Sequence, residues 1–305
     1  MSAILLALGA ALAYGASDFL GGRASTRAHF AVVSTVGAGT ALLIALVAAP
    51  LVGGTLSGTP LLWGTVSGVG SGMGTMFLYR GLARARVAVV APTSGVLAAA
   101  LPAAVAIALG ERPAPLAVVG LVLALPAVWL ISGGGSDRSS ASDGSPDGSS
   151  DFSGSDGSPG DGRLRRPSGV IDGVLAGFGF GLLFLALDRA GDSAGLWPLT
   201  AGQAMSFALV GVVALRTLHS VPAPRAGVGP WWHIAVATGV LGSAATLLFY
   251  ASTTSGLLTI AAVLTSLYPA GTILLARLVL DEKISRRQGI GLALAGIAVV
   301  LITLG

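Results

Sequence analysis

The chain has 305 residues, 53% hydrophobic and only 10% charged, where a soluble domain carries about 25% charged residues. Its mean hydropathy is +0.85, so water is not its only solvent. It has no cysteine, which excludes disulfides, cysteine zinc sites and thiol catalysis. The net charge of +4 and pI near 10.1 come from arginines in short connections. Membrane topology explains that pattern better than nucleic acid does, and no nucleic-acid partner is expected.

The first apolar run, about 3–22, has no basic segment before it and reads as a retained helix, not a cleaved signal. No Asp, Glu, Lys or Arg lies between Arg27 and Arg80, nor between Arg225 and Arg277. Each interval of about 50 residues would make roughly 75 Å of helix, against a bilayer core of ~30 Å. Each therefore holds two spans, with turns at Pro50–Pro60 and Ser252–Gly256. Apolar runs along the chain predict ten spans: about 3–22, 30–50, 61–82, 87–109, 115–133, 169–188, 195–215, 231–251, 257–278 and 288–304. The runs are too long and continuous for barrel strands. Residues 134–166, rich in Ser, Gly and Asp, read as a disordered linker, since such a segment buries too little surface to offset its ordering entropy.

The linker separates 1–133 from 167–305, and the two parts repeat. A shift of 171 lays Tyr79 on Tyr250, Glu111 on Glu282, Arg112 on Lys283, Gly120-Leu121 on Gly291-Leu292 and Ile131 on Ile302, without a gap. A shift of 166 lays Arg23-Ala24 on Arg189-Ala190. Five spans per half is an odd number, so the second half enters the membrane the other way up. The charges agree: of the 17 Lys and Arg, only Arg112 and Arg189 lie in connections after even-numbered spans. The expected fold is thus an all-α membrane protein of ten transmembrane helices in two inverted five-helix repeats. The positive-inside rule then puts the linker in the cytoplasm and both termini outside. Sixteen Arg against one Lys, with abundant Ala, Gly and Val, suggest a GC-rich bacterial genome and hence a bacterial plasma membrane.

Several segments resemble the drug/metabolite transporter superfamily, in its EamA-like branch of ten-helix proteins. They are Gly15–Arg23 (GASDFLGGR), Tyr79–Ala83 (YRGLA), Gly110–Pro113 (GERP), Ser266–Ala270 (SLYPA), Asp281–Lys283 (DEK) and Gln288–Gly291 (QGIG). The first half departs from the second in having Ala98 opposite Pro269, and the linker is longer than the family's usual connection. The resemblance implies a secondary transporter, often an exporter, with a central cavity between the halves.

Among chemistry-bearing residues, Asp18 stands out as the acid clearly inside a predicted span, where a carboxylate is a functional hypothesis by default. It can exchange a proton or bind a cationic group; the alternative is an interfacial pair with Arg23. Tyr14, Gln203 and Tyr268 lie deep in spans, where a hydroxyl or amide needs a partner, and with Tyr79 and Tyr250 they are candidates for lining a substrate cavity. Glu111 with Arg112, and Glu282 with Lys283, read as charge pairs that either tie a loop to a neighbouring helix end or gate. Arg80 and Arg277 read as snorkelling to the interface. Pro92, Pro102, Pro126 and Pro269 remove backbone bonds within spans. The histidines show no metal-ligand spacing and no nucleotide loop is present, so no metal, cofactor or enzymatic activity is expected. The expected partners are a small-molecule substrate and the bilayer, with a proton or sodium gradient as the drive. The competing reading is a membrane scaffold or lipid-handling protein without transport.

Overall fold

A computed structural model describes residues 2–84, 87–132, 167–220, 231–280 and 285–304. Among these the regular structure is helical: α1 (Ser2–Ser25), α2 (Phe30–Val52), α3 (Gly58–Arg84), α4 (Val87–Ala108), α5 (Pro115–Ser132), α6 (Pro167–Ala190), α7 (Trp197–Ser220), α8 (Trp231–Thr253), α9 (Leu258–Thr265), α10 (Tyr268–Leu280) and α11 (Arg286–Leu304). The whole of the linker expectation, 134–166, and the pair Glu282 and Lys283 lie outside the described residues.

Among the described residues, seven segments are long and apolar enough to cross a membrane: α1, α2, most of α6 and α7, α8, the stretch Leu258–Val279 and α11. Shorter apolar stretches run through α4 and α5. α3 has 27 residues, ample for a crossing, but its Gly, Ser and Thr make it the least apolar of the long helices. The outer surface is hydrocarbon-like. Leu12, Val47, Val122, Leu215, Leu247 and Val300 are all exposed, each well inside a helix. Water would penalise such a surface, whereas lipid does not. The chain is a multi-pass membrane protein.

The ninth predicted span, 257–278, is one element in the sequence reading and two in the structure. Pro269 has no amide to donate, and its ring crowds the carbonyl four residues earlier, that of Thr265. The ladder ends there: Leu267 N–H turns to the Leu264 carbonyl at 3.2 Å, and the chain restarts at Tyr268. The freed Thr265 side chain donates to the Ala7 carbonyl on α1 at 3.4 Å.

Packing runs mainly between the halves. α3 lies against α6 and α7, α1 against α8 and the α9–α10 pair, α4 against α6, α2 against α7 and α8, and α5 against α11. Exchanging the two halves, with α9–α10 counted as the partner of α4, leaves these pairings unchanged. The α5–α11 contact is reciprocal in detail. A Cβ on Gly120 would meet Ala298 and Ile302, and one on Gly291 would meet Ala127 and Ile131, the equivalent residues at a shift of 171. The start of each helix meets the end of the other, so α5 and α11 run antiparallel. Small residues make these approaches possible, since lipid offers no hydrophobic drive and close packing must supply the attraction. On α3, a Cβ at Gly68 would fall 2.1 Å from the Gly202 carbonyl, and one at Gly70 2.5 Å from that of Gly179.

Candidate functional site

α1, α2, α3, α6, α7 and α8 surround a central cavity with about 630 Å³ of atom-free space, its open mouth included. α1 contributes Tyr14, Ser17 and Asp18, one helical turn in all. α3 supplies Ser71, Thr75 and Tyr79, on the i, i+4, i+8 face, and α7 supplies Gln203, Ser206 and Val210 in nearly the same register. Thr238 and Thr246 close the α8 side, and Ser34 the α2 side. A smaller recess behind Asp18 is walled by Tyr14, Phe180, Phe184 and Tyr268.

Local geometry fixes these groups. Tyr14 Oη and Thr246 Oγ1 share a hydrogen bond of 2.9 Å between α1 and α8, while Thr246 also donates to its own helix at Gly242. Ser17 Oγ donates to the Thr238 carbonyl at 3.0 Å. Tyr268 Oη and Ser94 Oγ lie 3.2 Å apart, and the Tyr268 ring meets Phe180 edge-on with centroids 6.3 Å apart. The backbone of α10 presses on α1 at Gly15, where a Cβ would fall 2.5 Å from the Tyr268 carbonyl. Tyr79 is seated the same way, because Gly21 leaves room for its hydroxyl.

Asp18 is the charged residue among the described ones that line the cavity. It joins none of the ion pairs or hydrogen bonds found among the described residues, including the expected one with Arg23. Tyr14 and Tyr79 line the cavity with it, and Tyr14 and Tyr268 the recess. Of the other candidates, Gln203 lines the cavity and Tyr268 the recess. Tyr250 is elsewhere. Its hydroxyl donates to the Gly191 and Gly195 carbonyls in the connection between α6 and α7, so it fastens a loop.

Glu111 is not paired with Arg112 among the described residues. Its carboxylate accepts from Leu258 N–H at 2.8 Å, Thr259 N–H at 3.0 Å and the Thr259 hydroxyl. It therefore caps α9 from the α4–α5 connection, satisfying two amides that have no partner within that helix.

The sequence reading treated Asp18 as the single acid inside a span and Arg80 as a snorkelling side chain. Asp172, in the second turn of α6, is buried and forms an ion pair with Arg80 of α3, whose Nε donates at 3.0 Å. The Arg80 guanidinium also lies 4.5 Å from the Phe77 ring centroid. The signal that could have found this pair is a basic residue and an acidic residue each just inside the end of a predicted span. Nothing in the sequence says that α3 and α6 touch.

Residues 167–304 match the family model of the EamA-like transporter family, starting where α6 starts. Over that second half the chain is similar to the family. A solved crystal structure resembles this chain over 99% of its length and 94% of the other chain, with a TM-score of 0.60 at 20% identity, a likeness of fold alone. No curated protein matches the chain in sequence. Laid on the EamA-matched half at a shift of 166, Tyr14 corresponds to Phe180 and Asp18 to Phe184, so the two equivalent helices face each other across the recess with different chemistry.

Proposed function

We propose that the protein is a secondary transporter of a small metabolite or drug, working in export by alternating access between two inverted five-helix repeats that span the membrane ten times. The observation that carries this reading is the cavity itself: it lies between the halves, is lined by helices of both, and holds one carboxylate without a counter-charge. The exchange symmetry of the helix pairings and the antiparallel, reciprocal α5–α11 contact support the inverted relation. The break at Pro269 supports a moving element, since an interrupted helix can tilt at one end without disturbing the other.

In this reading Asp18, Tyr14, Tyr79, Gln203 and Tyr268 form the substrate or coupling site, with a proton or sodium gradient as the drive. Glu111 holds the outer end of the broken helix, and Glu282 with Lys283 is its counterpart in the repeat. The bacterial plasma membrane, with the linker cytoplasmic, follows from the distribution of Arg.

The test is uptake and efflux of a labelled metabolite panel in proteoliposomes, with and without an imposed pH or sodium gradient. Gradient-dependent flux of at least one solute, lost in Asp18→Asn, is the expected result. No flux of any solute, alongside accelerated movement of labelled lipid between leaflets, would replace transport with lipid handling; neither activity would leave a scaffold.

A further inference from the structure

Asp18 places a carboxyl group where an ionised one is costly. Taking a carboxylate out of water without a partner is among the most unfavourable steps in protein energetics. Arg80, next in the chain to Tyr79 of the cavity wall, is already committed to Asp172. No basic residue is found among the described residues lining the cavity or the recess. Among the described residues, then, nothing from the protein neutralises an ionised Asp18, and that partner must be a proton or a ligand cation from outside.

The walls say which kind. Four aromatic side chains line the recess beside Asp18 or abut it: Tyr14, Phe180, Phe184 and Tyr268, with Tyr79 on the cavity side. Tyr14 and Phe184 are tilted with centroids 6.1 Å apart, and Phe180 stands edge-on to Tyr268 at 6.3 Å. Aromatic faces around a cation attract organic ammonium groups, whose N–H or N–CH₃ edges carry the charge against the rings. A bare proton has no use for a ring wall. The hydroxyls of Tyr14, Ser17 and Tyr268 are engaged with Thr246, the Thr238 carbonyl and Ser94, so the carboxyl group of Asp18 is left to an incoming ligand. The larger cavity continues with Val33, Ala38, Ala41, Leu183 and Val210, an apolar bed for the body of a ligand. Ser34 adds a buried hydroxyl without a hydrogen-bond partner.

We infer that the cavity binds amphipathic organic ammonium ions, with the charged nitrogen at Asp18, a small alkyl or N-methyl group in the aromatic recess and the apolar body along α2 and α7. This rests on the reading of the cavity as a transport site and names its substrate class.

The experiment is equilibrium binding of labelled phenethylammonium to the full chain in detergent, with 2-phenylethanol and 3-phenylpropanoate as neutral and anionic competitors. It is paired with flux of the same three compounds in proteoliposomes. Expected are saturable binding of the ammonium, at least about tenfold weaker competition by the other two, and a loss of about thirtyfold or more in Asp18→Asn. Asp18→Glu retains part of the affinity, and Phe180→Ala loses about tenfold. Thermal unfolding of each variant shows whether it is folded, and if Asp18→Asn is not, Asp18→Glu, Phe180→Ala and the competitor series decide. Equal affinity for 2-phenylethanol, or phenethylammonium binding unchanged in Asp18→Asn, overturns the inference. Flux of a neutral or anionic solute without ammonium binding overturns it too, while leaving the transporter reading intact. Absence of flux for every solute class overturns both.

Discussion

α1 and α6 correspond at a sequence shift of 166, and they carry opposite chemistry at the same recess. α1 brings Tyr14 and Asp18 to the recess; α6 brings Phe180 and Phe184. The Phe184 ring packs on Phe249 with centroids 4.3 Å apart and is buried in the main apolar cluster, whereas Asp18 opens to the cavity. The ion pairs are equally one-sided: Arg80 and Asp172 join α3 to α6, while the position equivalent to Arg80 in α8 is Ala251. In the proposed repeat the helix pairings recur in both halves, whereas the carboxylate at the recess stands in α1 alone and the buried ion pair takes one residue from each half.

The sharpest way to break the comparison is to give α6 the residue of α1. Phe184→Asp places an acid within an apolar cluster with no compensating basic group among its described neighbours, and a cost of about 3 kcal/mol follows, read as a fall in unfolding temperature in detergent. Asp18→Asn should leave that temperature unchanged or raised while abolishing flux, which separates the site from the scaffold.

Next in size is Gly179→Val. A Cβ there already falls 2.6 Å from the Gly74 amide nitrogen, so the α3–α6 contact must open, at about 1–3 kcal/mol. The same measurement on Gly296→Val, where a Cβ meets nothing, should show little change.

The two equivalent tyrosines sharpen the contrast further. Tyr250→Phe loses bonds to the Gly191 and Gly195 carbonyls, worth about 1 kcal/mol of stability, with ligand affinity kept. Tyr79→Phe should do the reverse, altering affinity or flux with little change in stability. Glu111→Gln has no larger an effect. It keeps an oxygen for one α9 amide, turns its NH2 group toward the other and loses its charge at a helix N-terminus, about 1 kcal/mol.

Much of this architecture is written in the hydropathy. Apolar runs located the helices because lipid demands a continuous hydrogen-bonded helix wherever the chain crosses. Pro269 marked the break, although the sequence read as one span because its flanks are equally apolar. Asp18 was visible as an acid amid apolar neighbours. The Arg80–Asp172 pair was not, since it depends on which helices touch, and both residues sit near span ends where charge is unremarked. Tyr250 was grouped with Tyr79 because a repeat conserves position; only the packing shows that one faces a loop and the other the cavity.

The most direct test of the account is sided accessibility. The chain has no cysteine, so single-cysteine variants at Thr75 and Ser206 on the cavity wall can be labelled by an impermeant thiol reagent from either side of sealed membranes. Alternating access predicts labelling of each position from both sides, with a bound ligand shifting the balance between them. Labelling from one face only, unchanged by gradient or by any ligand the protein binds, would contradict it.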